Sequence, residues 1–248
     1  MRKHSYLAVA VIVASVAIAL FLIRRGTEDA KSTAPHGTTA LTTAQVAAGR
    51  EAAIRLARMT PAPARPAAGK FSAETLRSTE TTFRRMVAVR GLITQDKERA
   101  ALAQQVLATP DGAELMRAIL LDPAFATTAF GEFQAEARFY AIEVLDVMAQ
   151  HGKLDFVVDV ASDLAGQLAA VTGEINPGRA EDLRGLAAVL GERLGSRGLL
   201  DAHSPVLARL GFGPGLAKPI HQLYVEGMFY GVWRAETIEQ AMAAVKTL

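Results

Sequence analysis

The sequence contains no cysteine. Disulfides, thiolate metal sites, cysteine nucleophiles and acylation of a lipoprotein cysteine are excluded together, although a cysteine-free chain suits oxidising and reducing surroundings equally. Catalytic motifs are lacking too. The five histidines, His4, His36, His151, His203 and His221, show neither His-x-x-x-His nor His-Glu-x-x-His spacing, so no metal site is expected. There is no Gly-x-Ser-x-Gly elbow or Ser-x-x-Lys pair, and Gly211–Gly215 ahead of Lys218 lacks the Gly-Lys-Ser/Thr ending of a phosphate loop. No cofactor is expected, and the chain does not read as an enzyme. A basic excess is missing despite the sequence pI near 9.0. Residues 1–25 hold four of the 27 Lys and Arg and none of the 25 Asp and Glu, which leaves 23 against 25, a net of −2, for residues 26–248. A nucleic-acid backbone finds no electrostatic footprint on such a body, so nucleic acid is not an expected partner.

What is present begins with Leu7–Ile23, an apolar run whose only polar residue is Ser15, fenced by Arg2 and Lys3 before it and Arg24 and Arg25 after it. A helix of this length spans roughly 25 Å, slightly short of a hydrocarbon core of about 30 Å unless the flanking arginines snorkel. Leu7, Val11, Ile12, Ile18, Leu20, Phe21 and Ile23 are its candidate lipid-facing residues. A cleaved secretory signal competes with an anchor, but signals have shorter apolar cores and end in small residues, where Ile23-Arg24-Arg25 stands here. The sequence therefore predicts a single-pass anchor over residues 1–25. The flanking charges lean toward an inside N-terminus, which places the body on the outer, periplasmic side of an inner membrane. Residues 26–70, rich in Thr, Ala and Pro, read as a linker, with one helix expected over Ala44–Met59.

From residue 71 onward the pattern predicts an all-α body, since no stretch alternates apolar and polar residues over a strand length. Ser72 caps an expected helix running toward Leu92, and a second covers Asp96–Leu107. Thr109-Pro110 opens a third, which Pro123 ends. Leu154–Leu168 is the clearest amphipathic helix, with Asp155, Asp159 and Asp163 in a row on its solvent face. Its predecessor, Glu136–Gln150, is apolar over more than half its circumference, so it is expected between neighbours. Arg138 falls within that apolar sector and calls for a carboxylate partner. Asn176-Pro177-Gly178 reads as a break before a helix over Ala180–Leu194, and a short helix follows Ser204-Pro205. The expected domains are a helical body over 71–210 and, after a Gly/Pro hinge at Gly211–Gly215, a C-terminal helical subdomain over 211–248 with helices near Pro219–Met228 and Ala235–Thr247.

Two stretches of this body echo each other: Glu136–Leu145 (EARFYAIEVL) and Asp182–Leu190 (DLRGLAAVL), whose Arg138 and Arg184 lie 46 positions apart, with a fainter copy around Arg85 and Ala88. The shared acidic-x-Arg-x-x-Ala pattern, each time followed by a second amphipathic helix, resembles HEAT-type helical repeats over about Ser72–Leu194. The resemblance implies a scaffold that binds partners along a stacked surface, and it brings no catalytic residue with it. Aromatic residues concentrate after the hinge, and Phe212, Tyr224, Phe229, Tyr230 and Trp233 are the candidate partner contacts, with a terminal core as their competing use. The function expected is a membrane-tethered adaptor for protein–protein interaction in the cell envelope. The alternative is an anchored hydrolase using carboxylates such as Glu132 and Glu136.

Overall fold

A computed structural model describes residues 70–90 and 94–248. The anchor over Leu7–Ile23, the linker and its helix at Ala44–Met59 lie outside the described residues. Among the described residues there is no strand, and no helix is long and apolar enough to cross a membrane.

Helix α1 covers Ala73–Ala88, and Ser72 caps it by accepting from the Thr75 N–H at 3.0 Å. It stops short of the expected end, with Val89 as its C-cap. Helix α2 is Gln95–Leu107. Thr109 does not open the next helix. Its hydroxyl turns back and donates to Val106 O at 2.7 Å, closing α2, and α3 begins only at Gly112. A side chain at position 112 would sit 2.2 Å from Val106 O, so this turn requires glycine.

Pro123 ends α3 (Gly112–Leu121) but also occupies the first turn of a helix the sequence reading missed, α4 (Pro123–Phe130), where the Asp122 carboxylate accepts from Phe125 N at 2.9 Å. A single 3₁₀ turn, Gly131–Phe133, leads into α5 (Gln134–Gln150), and α6 follows over Leu154–Ala169.

Asn176-Pro177 is likewise a helix start rather than a break. The Asn176 side chain accepts from Arg179 N at 3.2 Å, and α7 runs over Pro177–Leu199 with a kink at Gly195. Helices α8 (Pro205–Arg209), α9 (Lys218–Ala235) and α10 (Ile238–Val245) complete the unit. Helix α9 is longer than its expected counterpart at Pro219–Met228.

Four of these helices, α2, α5, α7 and α9, lie side by side in one layer and point the same way. Their direction follows from which residues meet. Arg99 pairs with Glu143 at 3.3 Å, and Gln104 approaches His151 at 3.4 Å. Arg138 pairs with Asp182 at 3.0 Å, and Asp146 with Arg193 at 3.1 Å. Arg184 pairs with Glu226 at 2.6 Å, and Glu192 with Arg234 at 3.4 Å. In each pair of helices the early residue meets early and the late meets late, which only parallel neighbours allow. The four begin at Gln95, Gln134, Pro177 and Lys218, steps of roughly forty residues.

Helices α3 and α6 pack behind this layer and bury Leu115, Met116, Ile119, Val157, Val158 and Leu164 completely. The acidic row on α6 is answered by this chain's own arginines: Arg209 holds Asp155 and Asp159, and Arg117 holds Asp163. Helix α9 lies along α7, where Gly191, Gly227 and Gly231 let the two backbones approach.

Gly195 kinks α7 with φ +64°, and the freed Ser196 N–H is capped across the fold by the Glu236 carboxylate at 2.9 Å. The Ser196 side chain first and its backbone N–H second hold the Glu236 carboxyl below its ordinary value of 4.5. A lowered carboxyl contributes stability above its ordinary value and loses it as pH falls through the lowered one. The stability advantage of wild type over Glu236→Gln, read from urea midpoints, is therefore expected to be present at pH 7 and to fade as pH falls below the ordinary carboxyl value. A difference independent of pH would mean the cap is not ionic.

Candidate partner-binding groove

The parallel layer leaves an open groove of about 790 Å³ on the face turned away from α3 and α6, lined from α2, α5, α7 and α9 with Met86 of α1 at one end. Small residues, among them Ala100, Ala103, Gly178, Gly185 and Ala188, line it beside Ile142, Val147 and Val189, and small side chains let packed helices lie close together. Gly185 shows how tight this is: a Cβ there would fall 2.9 Å from Ile142 Cδ1.

Ion pairs between successive helices form the rungs of the groove. Arg138 is the arginine that the sequence placed in an apolar sector, and its carboxylate partner is Asp182, whose side chain is only 7% exposed. Burial pushes the Asp182 carboxyl up, against the opposing pull of Arg138 and then Arg179. Burial does the same to Glu143, against Arg99. One oxygen of Glu143 meets no hydrogen-bond donor. Asp146 Oδ1, Asp182 Oδ2 and Glu192 Oε2 also lack an aligned hydrogen bond, although each lies within ion-pair distance of an arginine. For these three the short distances carry the attraction, and the missing alignment means unused accepting capacity rather than an isolated charge.

Two aromatic rings stand in this polar setting, Phe139 at 55% exposure and Tyr230 at 38%. Of the five aromatic residues singled out from the sequence, Tyr230 alone lines the groove. Tyr224 is a core residue. Its ring is fully buried and its hydroxyl donates to Ala161 O of α6 at 3.2 Å, which withdraws it from any surface. Phe212 is partly buried 5.4 Å from that ring, and burial raises the Tyr224 hydroxyl pKa. Phe229 and Trp233 are partly buried beside Tyr230, with ring centres 5.6 to 6.3 Å apart.

Phe139 escaped the sequence reading, though a signal was there: it interrupts the polar stripe Glu136, Glu143, Asp146, Gln150 on its helix. Glu132 and Glu136, the carboxylates of the hydrolase alternative, are exposed and lie outside the groove lining. Among the described residues no group of three or more histidine, cysteine or acidic side chains is arranged to hold a metal ion.

No family model matches this chain, and no curated protein or solved structure is significantly similar to it.

Proposed function

We propose that this protein is a helical scaffold of HEAT-like repeats that holds a partner protein in the groove of its parallel layer. Residues 1–25 tether it to the inner membrane with the body on the outer face. The observation that carries the reading is the groove itself: a long concavity crossing four successive helices, with exposed aromatic rings where a purely solvated face would carry polar ones. Its support comes from the spacing of the layer helices, which matches the forty-odd residues of HEAT-type units, each unit supplying one helix to the layer. Repeat scaffolds of this kind recognise partners along an extended face.

The test places a photocrosslinking amino acid at position 139 or 230 of the full chain in native membranes, with position 200 as an exposed control away from the groove lining. A discrete crosslinked protein from 139 and 230, absent from 200, is expected. Equal labelling at all three positions would sink the proposal. The same membranes check the tether, because the chain should survive an alkaline wash with Met1–Arg25 still attached. A mature N-terminus near Ala30 or Ala34 would instead identify a cleaved signal.

A further inference from the structure

We infer that filling this groove makes Glu143 take up a proton, so that the partner is held more tightly as pH falls. This rests on the scaffold reading above and adds the regulation of the same site.

The geometry singles out Glu143 among the acids of the lining. One of its oxygens is buried without a hydrogen-bond donor, and Arg99 of α2, at 3.3 Å, is the arginine that answers the other. Its neighbours are better served: Asp182 has Arg138 and Arg179, and Asp146 and Glu192 share Arg193, with Arg234 added at Glu192. An ionised Glu143 therefore depends on water, which reaches its 28% exposed side chain from the groove it lines.

An occupant of the groove displaces that water. Desolvation disfavours the charged form of a carboxyl, so the covered site prefers the proton. The empty chain already tends this way, since burial, the largest influence, holds the Glu143 carboxyl above its ordinary value of 4.5 against the pull of Arg99. The charged groups facing it are Arg99 and Asp96 of α2, Asp146 of its own helix and Arg234 of α9, while Arg193 of α7 is turned to Asp146 and Glu192. Asp96 and Asp146 favour the proton, and the two arginines oppose it. Protonation does not strand Arg99, whose Nε also donates to Met86 O at 3.3 Å. The sign follows from linkage: a complex that holds the proton more tightly than the empty groove gains affinity as pH falls, up to about tenfold for a tenfold tighter hold. An occupant that brought a cation to Glu143 would reverse it.

The experiment follows the partner crosslink from positions 139 and 230 of the full chain in native membranes at pH 7 and at about pH 5, with Glu143→Gln beside wild type. The wild-type yield is expected to rise about threefold to tenfold at the lower pH, whereas Glu143→Gln, neutral throughout, should give the higher yield at both. A yield that falls in acid, or a rise that Glu143→Gln shows unchanged, would overturn the inference. Should the variant lose its helical circular-dichroism signal, the Glu143 carboxyl carbon, followed by NMR in the purified wild-type chain, decides instead: it must titrate above the ordinary value of 4.5, and titration at or below that value overturns the inference. Equal wild-type yields at the two pH values remove the proton and leave the scaffold standing; no crosslink at either pH removes both.

Discussion

Gly231→Ala is expected to lower the stability of the body by about 3 kcal/mol, at the upper end of what an added methyl costs in a packed core. The reason is geometric. A Cβ at position 231 would stand 2.0 Å from Ala188 O and 2.6 Å from Glu192 N, both backbone atoms of α7 that no rotamer change can move. The neighbouring Gly227 meets Arg184 O at 2.4 Å in the same way, and Gly191 of α7 meets Met228 O at 2.5 Å. Relief therefore requires α9 to back away along its length, loosening the packing of Val232, Met228 and Tyr224, which are fully buried. Gly166→Ala is the control. It lies exposed inside α6 with nothing within 4 Å of its would-be Cβ, so it should stabilise by about 0.4–1 kcal/mol through the unfolded chain. Urea unfolding of both variants decides the matter: a Gly231→Ala midpoint equal to wild type would mean that α9 is not seated on α7 as described.

Periodicity made the helices legible where one face had to be buried. The one-sided stripe of Leu154–Leu168 gave an element within one residue of α6, Leu154–Ala169. It failed where one residue type carries two meanings. Proline marks both the end of one helix and the first turn of another, and at Pro123 it does both, so that α4 went unread. At Pro123 and Pro177 the preceding residue makes the difference, whereas Thr109 before Pro110 turns its hydroxyl back onto Val106 O. Asp122 and Asn176 each turn a side-chain oxygen onto the backbone N–H three residues further on, the N-cap bond that opens a helix.

The site was legible in kind and illegible in place. A charged residue in an apolar helical sector announces a buried pair, and Arg138 has one. That its partner is Asp182 depends on the register between two parallel helices, which no local pattern encodes. The same register decides that Phe139 and Tyr230, remote in sequence, line one groove, while the equally aromatic Tyr224, one face round on α9, is sealed against α6.

Removing the carboxylate at the centre of that register should cost the most. Asp182 lies 3.0 Å from Arg138 Nε and 4.0 Å from Arg179 Nη1, and the two guanidinium side chains are themselves only 16% and 10% exposed. Arg179 also donates to Leu120 O at the end of α3 and to Gln167 of α6 at 2.7 Å, so it ties the layer of parallel helices to the one behind it. Asp182→Ala leaves two buried cations facing each other, and a loss of about 3–5 kcal/mol is expected, as when one partner is taken from a buried ion pair. The pair itself is no source of great stability. Burial raises the Asp182 carboxyl above its ordinary value of 3.8 and lowers Arg179 below its ordinary 12.5, so the fold tolerates these charges rather than gaining from them. For a carboxyl raised in the folded state the sign is fixed: the folded form takes up its proton first, so this group adds stability as pH falls through the raised value, and the gain is complete below the ordinary one. Asp182→Asn, which cannot titrate, should lack that acid-side gain while losing less than Asp182→Ala at pH 7, because its amide oxygen still accepts from Arg138. Replacing the whole cluster with Arg138→Met, Arg179→Met and Asp182→Leu should recover much of the loss, since apolar packing of similar volume matches or exceeds a buried ion network. If urea midpoints instead place the triple variant below Asp182→Ala, the ionic cluster is itself holding the two layers together and the burial argument is wrong.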